Sequence, residues 1–382
     1  MYVRTVFAIA LLCLFTPTLG GTVSTAQETL AVNDVEAIMS NDIATTAEMV
    51  RLAFHDAVGV SPNHKSDGCI NLNNADNRGL ISIVGTLDEL YDRRQADLSY
   101  GQMSRADFWA LAGATAARVA ALRSTCDGQG VSNNAACIPP MPLVYGRVDC
   151  ATSPTTTSIG SFPNAQGGMA TVMDLFRDEM GLSTKEVVAV MGAHALGDAN
   201  PNDSGGFRGP WVPQGRAMIL DNAFYVELAA KAWAQDAKAV PGAPAGTVVH
   251  QWDASNAPAP GQIMMLNTDA ALYKQVAPDA NGVSACATNI NTCPNAVTNG
   301  TSTTDIVVSY SNNNAMWAQD FGAAFSKLYS TGYSISNLAS AGQEVPNTVS
   351  PTTPSDSSSS PLPLLKSLSL LPFIVLFVTL LV

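Results

Sequence analysis

The chain has 382 residues, 47% of them hydrophobic and 13% charged, so it can bury a large core and is not a disordered polypeptide. A formal net charge of −12, with no block of Lys and Arg to reverse it locally, excludes nucleic acid as a partner.

Residues 1–26 read as a secretory signal peptide: Arg4, an apolar run to Phe15, the helix breaker Pro17 and small residues at Ser24 and Ala26, with cleavage expected near Gly20 or Ala26. A mainly helical body is expected over 27–335. The stretch "TAEMVRLAFHDA" begins with Thr45 three residues before Glu48, a capping-box pattern ahead of an apolar run. "SRADFWALAGATAARVAALR" (104–123) opens with Ser104 and Asp107 in the same relationship, and "STKEVVAVMGAHALG" with Ser183 and Glu186. Further amphipathic helices are expected over 221–235 and 313–332. Strand signals are short, near "PLVYGRVD" and "IMMLNTD". Long connections rich in Pro, Gly and Asn are expected over 126–168, 198–220, 238–262 and 278–304, and there is no internal repeat. Residues 336–356 form a Ser/Thr/Pro-rich stalk. Residues 357–382 are an apolar tail that ends with no polar residue after it, behind Ser355, Asp356 and Ser357, which fits a removable glycolipid (GPI) anchor signal better than a retained tail helix. The expectation is a secreted monomer attached to the cell surface, and hence to the membrane, through that anchor.

Outside the leader, which holds Cys13, six cysteines remain: Cys69, Cys126, Cys137, Cys150, Cys286 and Cys293. An even number in an oxidising compartment reads as disulfides. Cys126 with Cys137 and Cys286 with Cys293 would each close a short loop, leaving Cys69 with Cys150; spacing alone does not settle that connectivity. Asn202 in "NDS" and Asn299 in "NGT" are candidate glycosylation sites.

Four histidines carry the chemical signal. His64 and His250 sit in polar surroundings, whereas His55 and His194 each end an apolar helical run. Arg51 lies four residues before His55 in "RLAFHDAVG" and shares its helix face. Two such helices can line opposite walls of one cavity, with one imidazole on a metal and the other working on what binds across from it. Cleavage of a peroxide at a haem iron needs a neutral base to move a proton and a fixed cation to stabilise the departing oxygen. Arg suits the second task because it stays protonated when partly dehydrated.

"RLAFHDA", "SRADFWALAG", "GAHALG", "GGFRGPW" and "MMLNTDAAL", in this order, resemble the plant, fungal and bacterial (non-animal) haem peroxidase superfamily over about residues 45–332. "GAHALG", "GPW" and "QWD" are most similar to its first class, which includes cytochrome c and ascorbate peroxidases. The resemblance implies a mainly α, two-part helical fold with haem b between distal and proximal parts. It further implies hydrogen peroxide as oxidant and a small-molecule electron donor, small phenols being the default. By the same resemblance, Arg51 and His55 are the distal pair, Phe54 stacks beside them, and Asn77 accepts the inner proton of His55. His194 is the iron ligand, Asp269 takes its second proton, and Trp211 lies against its ring. From the residues alone, Asp269 also fits a helix cap and Trp211 a core position.

Departures from the family pattern narrow the expectation. Phe54 stands where first-class relatives carry Trp, which speaks against strong catalase activity. Asp203 stands where ascorbate peroxidases place Arg, and a carboxylate repels ascorbate. Of three acids that manganese oxidation needs, only Glu48 is present, with Ala44 and Asn200 at the other positions; Ala189 stands where lignin-oxidising relatives expose a Trp. "HDAVG" and "SDG" resemble a distal calcium loop with Asp56 and Asp67 as ligands, but Cys69 replaces the hydroxyl residue, leaving one calcium ion an open expectation. Ala195 and Val212 speak against a second ion. The rivals are a haem-free, non-catalytic protein of the same fold, a peroxidase specific for ascorbate or cytochrome c, and a zinc hydrolase, which lacks a His and carboxylate cluster on one helix face.

Overall fold

The structure, a computed structural model, describes residues 22–59, 63–126, 135–153, 162–254 and 262–343. The leader up to residue 21, the stalk from 344 and the apolar tail lie outside the described residues, all of which fall in one compact unit ending at Pro346. Both ends of the described body are packed. Helix α1 (Thr25–Asn41) is closed by a capping box in which Ser24 and Gln27 bond reciprocally, so a boundary at Ala26 cuts the first turn. At the other end Leu338 and Ala339 are buried, and the Gly342 N–H donates to the Val23 carbonyl at 2.8 Å. The folded body therefore reaches past the expected limit at 335.

The first half holds α1, α2 (Thr45–Val58), α3 (Ile81–Ala96) and α4 (Arg105–Ala121). The capping box expected from Thr45 and Glu48 does not form: Ala44 is the cap residue, and Asp42 receives the Ala44 N–H and the Thr45 hydroxyl instead. Helix α4 starts at Ser104 as expected and is buried along nearly all its length. Its small residues let α2 approach closely. A Cβ on Gly113 would lie 2.4 Å from the Ala53 Cβ, so this glycine sets the depth at which α2, and His55 two residues further on, enters the interior.

The second half begins with α5 (Met169–Met173), continued by a π-helical turn over Asp174–Glu179, and α6 (Thr184–Met191), whose capping box joins Ser183 and Glu186. A 3₁₀ turn, Gly192–Ala195, follows α6 and carries His194. A small ladder, β1 (Asp198–Ala199) against β2 (Gly209–Pro210), then leads to Trp211. The helix expected over 221–235 is shorter. Helix α7 (Ala223–Ala230) gives way to β3 (Trp233–Ala239), which pairs antiparallel with β4 (Val248–Ala254). The connection expected over 238–262 thus contains a hairpin arm. β5 (Met264–Met265) completes that sheet and feeds α8 (Asn267–Tyr273). A tight hairpin, β6 (Val297–Thr298) with β7 (Thr301–Ser302), turns at Asn299–Gly300 with both at positive φ, and α9 (Thr303–Asn312) and α10 (Asn314–Leu328) close the body.

The stretch "PLVYGRVD" forms no strand beyond one bridge, Tyr145 to Ala339. It is pinned by Arg147, fully buried, which pairs with Asp107 at 2.8 Å and donates to the Tyr329 carbonyl at 2.8 Å. The three disulfides are Cys69–Cys150, Cys126–Cys137 and Cys286–Cys293, the arrangement the loop spacing suggested. Among the described residues no helix is long and apolar enough to cross a membrane.

Candidate active site

A cavity of about 460 Å³ lies between the two halves, and His55 and His194 both line it. That volume falls within the roughly 300–1,000 Å³ of small-molecule and cofactor sites. Its wall is largely apolar, with Val50, Phe54, Phe176, Met191, Leu196 and Phe325 among the lining side chains.

On the first-half wall one short loop orients both polar groups. The His55 Nδ1–H donates to the Asn77 Oδ1 at 2.7 Å, and the Asn77 Nδ2 donates in turn to the Asn71 carbonyl at 2.9 Å. The carbonyls flanking Asn77 hold the arginine: Arg51 donates through Nη2 to Asp76 and through Nη1 to Arg78, each at 2.8 Å. Because Nδ1 carries the proton, Nε2 of His55 is an unprotonated acceptor. Burial, and then the Arg51 charge, pushes His55 down to about 3, so the ring is neutral at ordinary pH. Burial also lowers Arg51, against the pull of Asp203, Asp76 and Glu48, yet an arginine remains a cation. Phe54 meets the edge of His55 at 5.4 Å and stacks on Phe176 at 5.5 Å.

On the opposite wall the His194 Nδ1–H donates to the Asp269 Oδ1 at 2.8 Å. The second oxygen of Asp269 accepts the Trp211 indole N–H at 2.7 Å and the Leu266 backbone N–H at 2.8 Å. Trp211 stacks on the His194 ring at 4.5 Å and 25°. Asp269 is therefore both the helix cap and the imidazole's partner, two alternatives that the sequence left open. Its Nδ1 engaged, His194 keeps Nε2 for a metal, and the carboxylate makes that nitrogen a better electron donor. The pair of imidazoles on one cavity, the preset His194 and the apolar wall fit a haem.

Several positioning residues carried no signal readable from sequence. Phe162 packs on His55 at 4.4 Å. Asn267, fully buried, accepts from Trp252 and Gln235 and donates to the Gln166 and Gly282 carbonyls, which anchors α8 two residues before Asp269. Gly192 lets α7 and α10 close on the His194 turn, since a Cβ there would lie 2.7 Å from both the Trp317 Nε1 and the Tyr225 hydroxyl. His64 is buried rather than exposed, bridging the Val58 carbonyl and Glu179. His250 bonds to the Asn281 carbonyl on the hairpin. Neither lines the cavity.

The calcium expectation meets an arrangement that satisfies the loop without an ion. Asp56 Oδ1 accepts the backbone N–H groups of Asp67, Gly68 and Cys69, at 3.2, 2.9 and 3.2 Å. The Gly68 carbonyl is taken by the Arg105 guanidinium, and Cys69 is bonded to Cys150. A calcium shell needs oxygen ligands, whereas this turn presents amide donors and a nearby cation, so the described residues do not fit the ion. Zinc fares no better. Among the described residues the one cluster of metal-type side chains is Asp67, Cys69 and Cys150, and its sulfurs form that disulfide.

The cavity lining includes three acidic residues, Glu48, Asp198 and Asp203, together with Ala44 and Asn200.

Comparison with known proteins agrees with this geometry. The family model described as "Peroxidase" matches residues 31–283, more than half of the chain. Over 187 residues the chain is 31% identical to L-ascorbate peroxidase 2, cytosolic, of Oryza sativa subsp. japonica, covering 47% of this chain and 63% of that protein. It is 31% identical over 183 residues to L-ascorbate peroxidase 3 of Arabidopsis thaliana, covering 47% of this chain and 55% of the relative. For L-ascorbate peroxidase 5, peroxisomal, of the same plant, the figures are 29% over 187 residues, 47% and 56%. The chain thus spans between about half and two thirds of the length of these curated relatives. A matched family model over most of the folded body, together with a buried carboxylate shared by an imidazole and an indole, leads to one conclusion: this chain belongs to the peroxidase family.

Proposed function

We propose that the protein is a haem-dependent peroxidase that reduces hydrogen peroxide and oxidises a small donor by single electrons. The observation that carries the reading is the pair of differently prepared imidazoles on one cavity, His194 backed by a buried carboxylate and His55 kept neutral with its outer nitrogen unprotonated. When bound, the haem supplies the iron at which the peroxide O–O bond is cleaved and the two oxidising equivalents are stored. His194 Nε2 would hold the iron, oriented by Asp269 and packed by Trp211. His55 Nε2 takes a proton from the inner oxygen of hydrogen peroxide and returns it to the outer one, which leaves as water. Arg51 stabilises the negative charge that develops on the departing oxygen. Phe54, Phe176 and Phe162 exclude water around the base, which keeps its outer nitrogen available.

The acidic residues on the cavity lining support neutral or cationic donors, small phenols first, over an anion. Ascorbate is the second reading, favoured by the names of the relatives and opposed by Asp203 on the lining. Disulfides in the body, and exposed Asn202 and Asn299, support a secreted glycoprotein, with cleavage near Gly20 leaving α1 whole. The glycolipid anchor rests on the tail sequence alone. The test is reconstitution: purified body plus haem should give a stoichiometric ferric spectrum that is lost in H194A, and turn over phenolic dyes faster than ascorbate. Failure to bind haem would leave the non-catalytic reading; faster turnover of ascorbate would replace the donor assignment.

A further inference from the structure

Three buried tyrosines among the described residues donate their phenolic proton to a carboxylate. Tyr100 bonds Asp34 at 3.0 Å, Tyr145 bonds Glu28 at 2.8 Å and Tyr310 bonds Asp320 at 2.9 Å. One of these pairs is joined to the cavity by aromatic contacts. The His194 ring meets Phe224 at 6.2 Å, Phe224 meets Tyr225 at 5.0 Å, and Tyr225 meets Tyr310 at 5.1 Å. Tyr100 contacts only Tyr91 and Phe108 among the ring pairs of the described residues, with no ring contact leading to the cavity.

The chemistry of the phenols differs along this chain. A tyrosine that gives up an electron becomes a very strong acid, so it needs a base at its hydroxyl. Tyr225 has none: its hydroxyl donates to the backbone carbonyls of Val188 and Ala189, at 2.6 and 2.9 Å. The side branch through Trp317 ends the same way, its indole N–H on the Ala189 carbonyl at 3.0 Å and, further on, the Tyr329 hydroxyl on the Pro142 carbonyl. Tyr310 has a carboxylate, and that carboxylate is at the surface. Asp320 is 25% exposed and is held by Lys185 at 2.7 Å. Contact between rings provides a short tunnelling route, and only its far end can shed a proton.

Resting on the peroxidase reading above, we propose that Tyr310 is a redox-active terminus that receives one oxidising equivalent from the peroxide-oxidised centre by way of Phe224 and Tyr225, and holds it as a tyrosyl radical beside the Asp320 carboxylate. In the step, Tyr310 loses one electron to the centre, which is reduced by one electron. The phenolic O–H bond breaks and the proton forms a new O–H bond on the Asp320 carboxylate.

The test is electron paramagnetic resonance of the haem-loaded protein frozen after one equivalent of hydrogen peroxide without donor, produced once with ordinary and once with ring-deuterated tyrosine. The haem absorption change in the same samples reports the peroxide reaction independently. A tyrosyl signal that narrows on deuteration, disappears in Y310F and falls several-fold in D320N supports the proposal; D320N keeps the side-chain shape while removing the base and the charge that pairs with Lys185. A haem that reacts with peroxide while the tyrosyl signal is absent, or is undiminished in both variants, overturns it. A haem that does not react with peroxide at all sinks the peroxidase reading, and this inference with it.

Discussion

Replacing Asp269 by Ala removes an acceptor that three donors use at once. His194 can turn its ring, but the Trp211 indole N–H and the Leu266 backbone N–H have no such freedom beside a carboxylate that is fully buried. Each orphaned buried donor costs about 1–3 kcal/mol, so the expected loss of unfolding free energy is about 2–6 kcal/mol. That is a large share of the roughly 5–15 kcal/mol available to a folded domain. Were Asp269 only a helix cap, the loss would be about 0.5–2 kcal/mol. A second effect separates the two roles more sharply. An imidazole without its carboxylate partner loses orientation and basicity, which weakens metal binding about 10–100-fold. The assay is urea unfolding followed by tryptophan fluorescence, paired with a haem titration, on wild type, D269A and D269N. Asn retains one acceptor but turns an amide N–H₂ towards a donor, so it should also fall short. A loss of about 1 kcal/mol or less with wild-type haem affinity would reduce Asp269 to a cap and refute the reasoning.

Other expected outcomes follow from the same geometry. His55 is held at about 3, against about 6.5 in an unfolded chain, so above pH 6.5 it contributes nothing to stability and below it only the unfolded chain takes up the proton. The folded state therefore loses about 3 kcal/mol from this group by pH 4. H55Q should lack that loss, and parallel stability-against-pH curves for the two proteins would contradict the buried neutral ring; Asp56, pushed up to about 7 by burial, acts with the opposite sign in both and drops out of the comparison. G192A places a methyl against Tyr225 and Trp317, and overpacking of that kind costs about 1–3 kcal/mol; a thermal scan should show a lower midpoint together with weaker haem binding. D203R reverses a charge on the cavity lining and should lower the KM for ascorbate by about tenfold, an effect that salt weakens; unchanged ascorbate kinetics would remove Asp203 from donor selection.

The site was more legible in the sequence than the fold around it. Arg51 and His55 share a helix face by spacing alone, and the family resemblance implied roles for Asn77, His194, Trp211 and Asp269, each of which lies on the cavity or one hydrogen bond from a residue that lines it. What escaped was set by tertiary packing. Ser183 and Glu186 form the capping box their spacing suggests, whereas Thr45 and Glu48, with the same spacing, do not, because the helix starts one residue earlier, with Ala44 as its cap and the Thr45 hydroxyl bonded back to the Asp42 carbonyl. "AKAWAQ" has a helical composition, but Trp233 and its followers pair with residues 248–254, and no local signal announces a partner so far along the chain. Phe162 reads as a loop residue, and the anchoring role of Asn267 within "MMLNTDAAL" carries no local signal, because their partners are scattered over distant segments. The calcium expectation followed the carboxylates, whereas Asp56 accepts three loop amides and Cys69 is joined to Cys150, pairings that span distant positions and carry no local signal.

In the proposed reaction a neutral His55 works on peroxide bound opposite His194. Its most direct test is stopped-flow mixing of haem-loaded wild type and H55L with hydrogen peroxide, reading the first haem spectral change. Loss of a positioned base should slow that step by about 10²–10⁴-fold while haem binding is retained. A second-order rate constant in H55L within a few-fold of wild type would contradict the account.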